Sequence, residues 1–68
     1  MIANFYKKNG IEARNYKLIA SKNIDCIPQK GNLIVFSGQL FVIDKICFDI
    51  DKCEYNLYIV RVWLLSNI

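Results

Sequence analysis

The 68-residue sequence contains no histidine, and its three glycines stand apart from one another. Without histidine there is no imidazole base, no Cys-His pair and no Ser-His-Asp triad. Isolated glycines form neither a phosphate-binding loop nor a dinucleotide fingerprint. The sequence therefore predicts a protein that is not an enzyme and that carries no cofactor.

The cysteines are three in number, which leaves one without a partner, and no two of them have CxxC spacing. Cys26, Cys47 and Cys53 therefore form neither a complete disulfide framework nor a zinc site. Cys47 stands between Ile46 and Phe48, so we expect buried, unreactive thiols. Free cysteines are typical of a reducing compartment, and we expect a cytoplasmic location.

No apolar run is long enough for a membrane-spanning helix. The longest, residues 55–65, is about half the length of such a helix and contains Arg61. The first ten residues, MIANFYKKNG, reach their lysines after six residues and lack the apolar segment of a signal peptide. We therefore expect a soluble protein with no membrane contact.

The sequence is instead rich in apolar residues, at 54%, which occur in short segments between turn residues. Ile, Val, Phe, Tyr and Leu dominate these segments, as is typical of strands, and the pattern predicts one all-β domain. For residues 11–20 the alternation favours a strand, with a helix as the alternative. The predicted segments are residues 2–6, 11–20, 33–36, 39–43, 45–50 and 55–65.

The apolar alternation slips at Asp44. Phe41 and Ile43 share one phase, whereas Ile46 and Phe48 share the other. One extra residue near Asp44 restores a single buried face, which predicts a β-bulge. Because bulges bend strands, we expect a small barrel or a strongly curled antiparallel sheet of about five strands.

Residues 55–65 are apolar on both faces, which in a small domain leaves one face to be covered. If Tyr58, Val60, Val62 and Leu64 form the core, the other face binds a partner. A second copy of the chain is the simplest cover, and the N-terminal segment folding across its own strand is the alternative. The predicted homodimer contacts are Leu57, Ile59, Arg61, Trp63 and Leu65.

The run IPQKGNLIVFSGQLFVIDKICFDID, followed by NLYIVRVWL, resembles small SH3-like β-barrel proteins of phages and other mobile elements. The resemblance covers about residues 27–64 and implies an SH3-like barrel. Some small phage proteins inhibit host defence nucleases, so it also implies an anti-CRISPR-like inhibitor that binds a host nucleic-acid-processing enzyme. The matching turn and core positions are Pro28, Gly31, Gly38, Val42, Phe48, Asp49 and Asp51.

Three acids, Asp49, Asp51 and Glu54, form a DxDxxE pattern after a predicted strand. A calcium loop would need an oxygen ligand where Cys53 stands and a glycine where Glu54 stands, so we expect no metal site. One interpretation is a hairpin corner with solvated acids. The other is an acidic contact surface that mimics phosphates toward the basic groove of a nucleic-acid enzyme.

The net charge of +3 divides unevenly, with +4 in residues 1–30 and −1 in residues 31–68. In the basic part, lysines and an arginine alternate with Phe5, Tyr6 and Tyr16, which is typical of a platform for single-stranded nucleic acid. Nucleic-acid binding by a small β-barrel is therefore the alternative function, and ordinary solubilising charges explain the same pattern. The predicted phosphate contacts are Lys7, Lys8, Arg14 and Lys17.

Overall fold

The computed structural model describes residues 1–8 and 15–62, and this part of the chain contains five strands and no helix. The all-β prediction is confirmed, as is the strand expected for the described part of residues 11–20. Residues 11–14 lie outside the described residues. The strands are β1 (Ile2–Lys8), β2 (Tyr16–Asn23), β3 (Leu33–Phe36), β4 (Gln39–Asp49) and β5 (Glu54–Arg61).

The five strands form one sheet in the order β2-β1-β5-β4-β3. The pairs β1–β2, β3–β4 and β4–β5 are antiparallel, whereas β1 and β5 run parallel, so the sheet is mixed. It curls through about 210° into a half-barrel. The edge strands β2 and β3 therefore border an opening, and the concave side of the sheet, which we call the inner face, holds the core.

The core consists of alternate residues of the three central strands, as the two-residue period of a strand requires. Full burial of a large apolar side chain is worth about 1.5–3 kcal/mol, so these strands contribute most of the apolar stabilisation. Side chains between them point to the convex outer face. The buried residues are Ala3, Phe5, Phe41, Ile43, Leu57 and Ile59.

The bulge expected near Asp44 is confirmed. Ile43 pairs with Ile59 and Lys45 pairs with Tyr58, so Asp44 has no partner on β5. After this extra residue Ile46 returns to the inner face and packs against the core.

The predicted orientation of β5 is wrong. Leu57 and Ile59 are fully buried, so they belong to the core and cannot face a second copy of the chain. Their position follows from the parallel pairing with β1, which places Leu57 beside the core residue Phe5. Tyr58 lies on the outer face, half-buried. Of the other residues assigned to the dimer contact, Arg61 is half-buried at the end of β5, and Trp63 and Leu65 lie outside the described residues.

Two tight turns connect the antiparallel strands. Ser37 and Gly38, between the predicted segments 33–36 and 39–43, have φ values of 51° and 74°, the type I′ geometry that joins β3 to β4. Cys53 has a φ of 55° at the end of the turn between β4 and β5. A side chain is strained at that angle, which glycine adopts freely.

Candidate functional site

Three tyrosines meet on the outer face of the sheet, and we call them the tyrosine cluster: Tyr6, Tyr16 and Tyr58. Tyr6 and Tyr58 are register partners on β1 and β5, and their rings stack with centroids 5.2 Å apart at 19°. The Tyr16 ring from β2 meets Tyr58 edge-on, with centroids 4.9 Å apart at 77°. Both arrangements are favourable for aromatic pairs, which contribute about 0.5–1.5 kcal/mol beyond burial.

The bulge in β4 supplies the charged neighbours of the tyrosine cluster. The Tyr16 hydroxyl donates a hydrogen bond to Asp44 Oδ2 at 3.2 Å. The Lys45 ammonium lies 5.2 Å from the centroid of the Tyr58 ring, a cation–π distance. An anion and a cation therefore stand beside the rings on adjacent residues of β4.

The hydroxyls of Tyr16 and Tyr58 remain protonated at neutral pH. Burial raises the pKa of Tyr16, and the hydrogen bond to Asp44 and the negative charge of that carboxylate raise it further. Burial also raises the pKa of Tyr58, with smaller contributions from Cys47 and Tyr6. The Tyr16 hydroxyl thus keeps the proton that it donates to Asp44, and the Tyr58 hydroxyl is a hydrogen-bond donor for whatever binds the outer face.

Leu18 extends the tyrosine cluster toward the edge of the sheet. It pairs with Tyr6 across β1 and β2 and is 49% exposed. A row of Leu18, Tyr6, Tyr58 and Lys45 therefore crosses four strands of the outer face. An exposed leucine beside half-buried tyrosines, with a charge at the rim, is typical of protein-binding surfaces.

A polar row borders the tyrosine cluster on the outer face. Ser21 Oγ donates to Asn4 Oδ1 at 2.6 Å, and Asn4 Nδ2 donates to Asn56 Oδ1 at 3.0 Å and to Glu54 Oε1 at 2.9 Å. These side chains form hydrogen bonds with one another, which stabilises the pairing of β1 with β5. Glu54, predicted as part of an acidic contact surface, is therefore tied into this row.

The other two acids of the DxDxxE pattern belong to the turn. Asp49 Oδ1 accepts hydrogen bonds from the backbone N–H groups of Asp51 at 3.1 Å and Lys52 at 3.2 Å. This is the Asx-type turn that aspartate favours. Asp51 is exposed. Among residues 1–8 and 15–62 no group of three or more His, Cys, Asp or Glu side chains is placed to hold a metal ion.

The predicted basic residues are divided between the two faces. Lys7 and Lys17 are opposite each other on β1 and β2 and point to the inner face, and the Lys7 ammonium lies 5.8 Å from the Phe41 ring. Lys8 pairs with Tyr16 on the outer face. Arg14 lies outside the described residues. Phe5, predicted as a stacking ring, is buried in the core and offers no face to a base.

The opening between β2 and β3 contains an apolar groove of about 380 Å³. Core and loop residues line its floor, and the Lys22 ammonium reaches from β2 to within 5.7 Å of the centroid of the Phe36 ring on β3. One lysine side chain therefore spans the opening at this level. The apolar lining comes mainly from Phe5, Ile24, Pro28, Ile34 and Phe36.

The three cysteines are free and exposed, so the prediction of buried thiols is wrong. Cys47 pairs with Asn56 on the outer face because the bulge changes the phase of β4. Cys26 lies in the loop after β2, and Cys53 lies in the turn before β5.

The chain matches no protein-family model, no curated protein and no solved structure in the comparisons. Within residues 1–8 and 15–62, no helix has the length and apolar character needed to cross a membrane. The tyrosine cluster is the feature that the sequence did not predict. Tyr6 and Tyr58 are 52 residues apart in the sequence and meet only because β1 pairs with β5. No local sequence pattern therefore marks the cluster.

Proposed function

We propose that this protein is a non-enzymatic binding module that acts by stoichiometric contact with another protein, through the tyrosine cluster. The observation that carries the proposal is the position of the three rings. They pack on one another within 5.2 Å on the face opposite to the core, where they fill no interior space. Such an arrangement prepares a contact surface in advance of binding.

Physical reasons favour a protein partner for this surface. Tyrosine offers a large contact area at a low cost in side-chain entropy, and it is enriched among the residues that dominate binding energy. The packing of Tyr6 and Tyr16 against Tyr58 lowers that cost again. Asp44 and Lys45 at the rim add one charge of each sign, which orients a partner.

Within this proposal the partner is a host nucleic-acid-processing or defence enzyme, and the protein is an anti-CRISPR-like phage inhibitor in the host cytoplasm. The resemblance of about residues 27–64 to SH3-like proteins of phages supports this class of partner. The three free thiols support a reducing compartment. The exposed Asp51 would add a negative charge toward the basic groove of such an enzyme.

Affinity capture from the lysate of the source cell, with and without nuclease, tests the proposal. The test variant is Leu18→Glu, which places a charge beside Tyr6. Its control is Ile50→Glu, which places the same charge at an exposed aliphatic residue after β4 and away from the tyrosine cluster. We expect a protein partner that survives nuclease, is retained by Ile50→Glu and is lost with Leu18→Glu. Retention by Leu18→Glu would contradict the proposal.

Nucleic-acid binding on the inner face is the second candidate, and one observation favours it. Lys7 and Lys17 are direct cross-strand partners, and like charges in such positions destabilise a sheet. A bound phosphate would remove that repulsion. Binding of single-stranded oligonucleotide should then weaken steeply with salt and vanish in Lys7→Glu/Lys17→Glu, but persist in the control Lys30→Glu/Lys52→Glu.

A further inference from the structure

Strand β3 has one edge with unpaired backbone groups. Phe36 and Gln39 flank a two-residue turn and therefore form a hydrogen-bonded pair with β4. The alternation of an antiparallel ladder then directs the N–H and C=O groups of Leu33 and Val35 away from β4. In the described part of the chain no strand pairs with that edge.

The free edge of β3 lacks the charges and prolines that protect many edge strands from pairing. The strand has no charged residue and no proline, and Leu33 and Val35 are 62% and 73% exposed. The other edge of the sheet differs, since β2 carries Lys17 and Lys22. Lysine on an edge strand is a common means of preventing further pairing. Of the two edges of the sheet formed by residues 1–8 and 15–62, the β3 edge is therefore the better suited to pair with another strand.

The apolar groove runs along this same edge. Ile34 and Phe36 border it from the inner face of β3, and Val35 borders it from the outer face. Lys22 spans the opening at the level of Phe36. Two strands that flank a third are roughly 10 Å apart. The reach of the Lys22 side chain from β2 to a ring of β3 agrees with room for an additional strand between them.

We propose that the opening binds an extended segment of another protein, apolar on one face and carrying an acidic side chain. The segment pairs with the free edge of β3 as a further strand, using the outward backbone groups of Leu33 and Val35. Its apolar side chains fill the groove beside Phe36. Its carboxylate accepts a hydrogen bond from Lys22, which leaves the Phe36 ring to do so.

This site is independent of the function proposed for the tyrosine cluster, which lies on the other face of the sheet. Its partner is defined by backbone pairing, apolar side chains and one negative charge. The partner of the tyrosine cluster is defined by contact with the tyrosine rings and with the charges of Asp44 and Lys45. An experiment can therefore contradict either proposed binding site without contradicting the other.

The probe is an acetylated octapeptide in which valine and threonine alternate and one central residue is aspartate. Titration into the isotopically labelled full chain should shift the amide signals of Leu33 and Val35 and slow their hydrogen exchange. A second peptide, with the same side chains but N-methylated on the edge that faces β3, should not bind. Equal binding of the N-methylated peptide would overturn the proposal.

Two matched pairs of variants locate the site. Val35→Pro removes an outward N–H without breaking a bond to β4, and should weaken peptide binding about tenfold or more, whereas Val35→Thr should change it less than about twofold. Lys22→Glu should weaken binding by roughly five- to tenfold, whereas Lys17→Glu, with the same change in net charge, should not. A peptide with lysine in place of aspartate should regain affinity for Lys22→Glu.

Three results would count against the site. Equal binding by Val35→Pro and Val35→Thr would exclude pairing at the β3 edge. Shifts confined to the tyrosine cluster would place the peptide on the outer face. Loss of the Leu33 and Val35 signals with rising protein concentration, before peptide is added, would mean that a second copy occupies the edge. A Tyr6→Ala variant that binds the peptide as the wild type does would show that this site does not depend on the cluster.

Discussion

The hydroxyl of Tyr16 on β2 bonds to Asp44 on β4, 3.2 Å away, although β1 and β5 lie between those strands in the sheet. The bulge makes this contact available, because Asp44 is the extra residue and has no partner on β5. The side chains therefore join strands that share no backbone hydrogen bond. The same bond fixes the Tyr16 ring against Tyr58.

A double-mutant cycle measures the strength of this bond. Tyr16→Phe and Asp44→Ala should each lower the free energy of unfolding, and the pair should be less than additive by about 0.5–1 kcal/mol. The measurement is urea denaturation of the four proteins. A cycle of Tyr16→Phe with Asp51→Ala, an acid in the β4–β5 turn, should show no coupling. Equal couplings in the two cycles would mean that Asp44 has no specific role.

Alkaline pH should weaken the fold through Tyr16 and Tyr58. Their pKa values are raised in the folded protein above the ordinary value of about 10, first by burial and, for Tyr16, also by Asp44. A raised folded pKa gives stability that is complete below the unfolded pKa and is lost as pH rises through the folded one. We expect the free energy of unfolding to fall more steeply above pH 10 in the wild type than in Tyr16→Phe/Tyr58→Phe. Identical slopes would contradict the assignment.

Replacing Cys53 with glycine should stabilise the protein. Its φ of 55° is costly for a residue with a β-carbon and free of strain for glycine. Cys53→Gly should raise the free energy of unfolding by about 1 kcal/mol, measured by urea denaturation under reducing conditions. The control Cys53→Ala removes the thiol but keeps the β-carbon, so it should give no such gain. A gain of the same size in both variants would point to the thiol instead.

Two leucine substitutions test which face of the sheet is the core. Leu57→Ala should cost about 2–5 kcal/mol because Leu57 is fully buried. Leu18→Ala, at a half-exposed position on the outer face, should cost less than about 1 kcal/mol. Comparable costs would put the outer face in an interior or an interface. Sedimentation equilibrium of the wild type over a range of concentrations distinguishes those two cases.

Local sequence features predicted the local structure. The phase slip at Asp44 located the bulge, and the gap between the predicted segments 33–36 and 39–43 located the turn at Ser37-Gly38, because each depends on adjacent residues. The orientation of β5 was not predictable in the same way. Leu57 and Tyr58 are both apolar enough for a core, and only the strand beside them decides which one is buried.

The tyrosine cluster and the opening depend on that same long-range pairing. The parallel register of β1 with β5 brings Tyr6 to Tyr58, and it also leaves β2 and β3 as the two edges. No turn or spacing near Tyr6 encodes a partner so far along the chain. Strand pairing at such separation depends on the packing of the whole sheet.

The parallel pairing of β1 with β5 also determines when the sheet can form during synthesis. Ile2 pairs with Glu54, so 52 further residues must be synthesised after Ile2 before the first contact between β1 and β5 can form. Until then β1 has only β2 beside it, and the apolar side of Phe5 has nothing from β5 to cover it. In folds with contacts of this sequence separation, the chain loses loop-closure entropy before the contacts stabilise it. Such folds therefore form slowly, in milliseconds to seconds. On the ribosome, the half-barrel is therefore completed only after β5 has emerged.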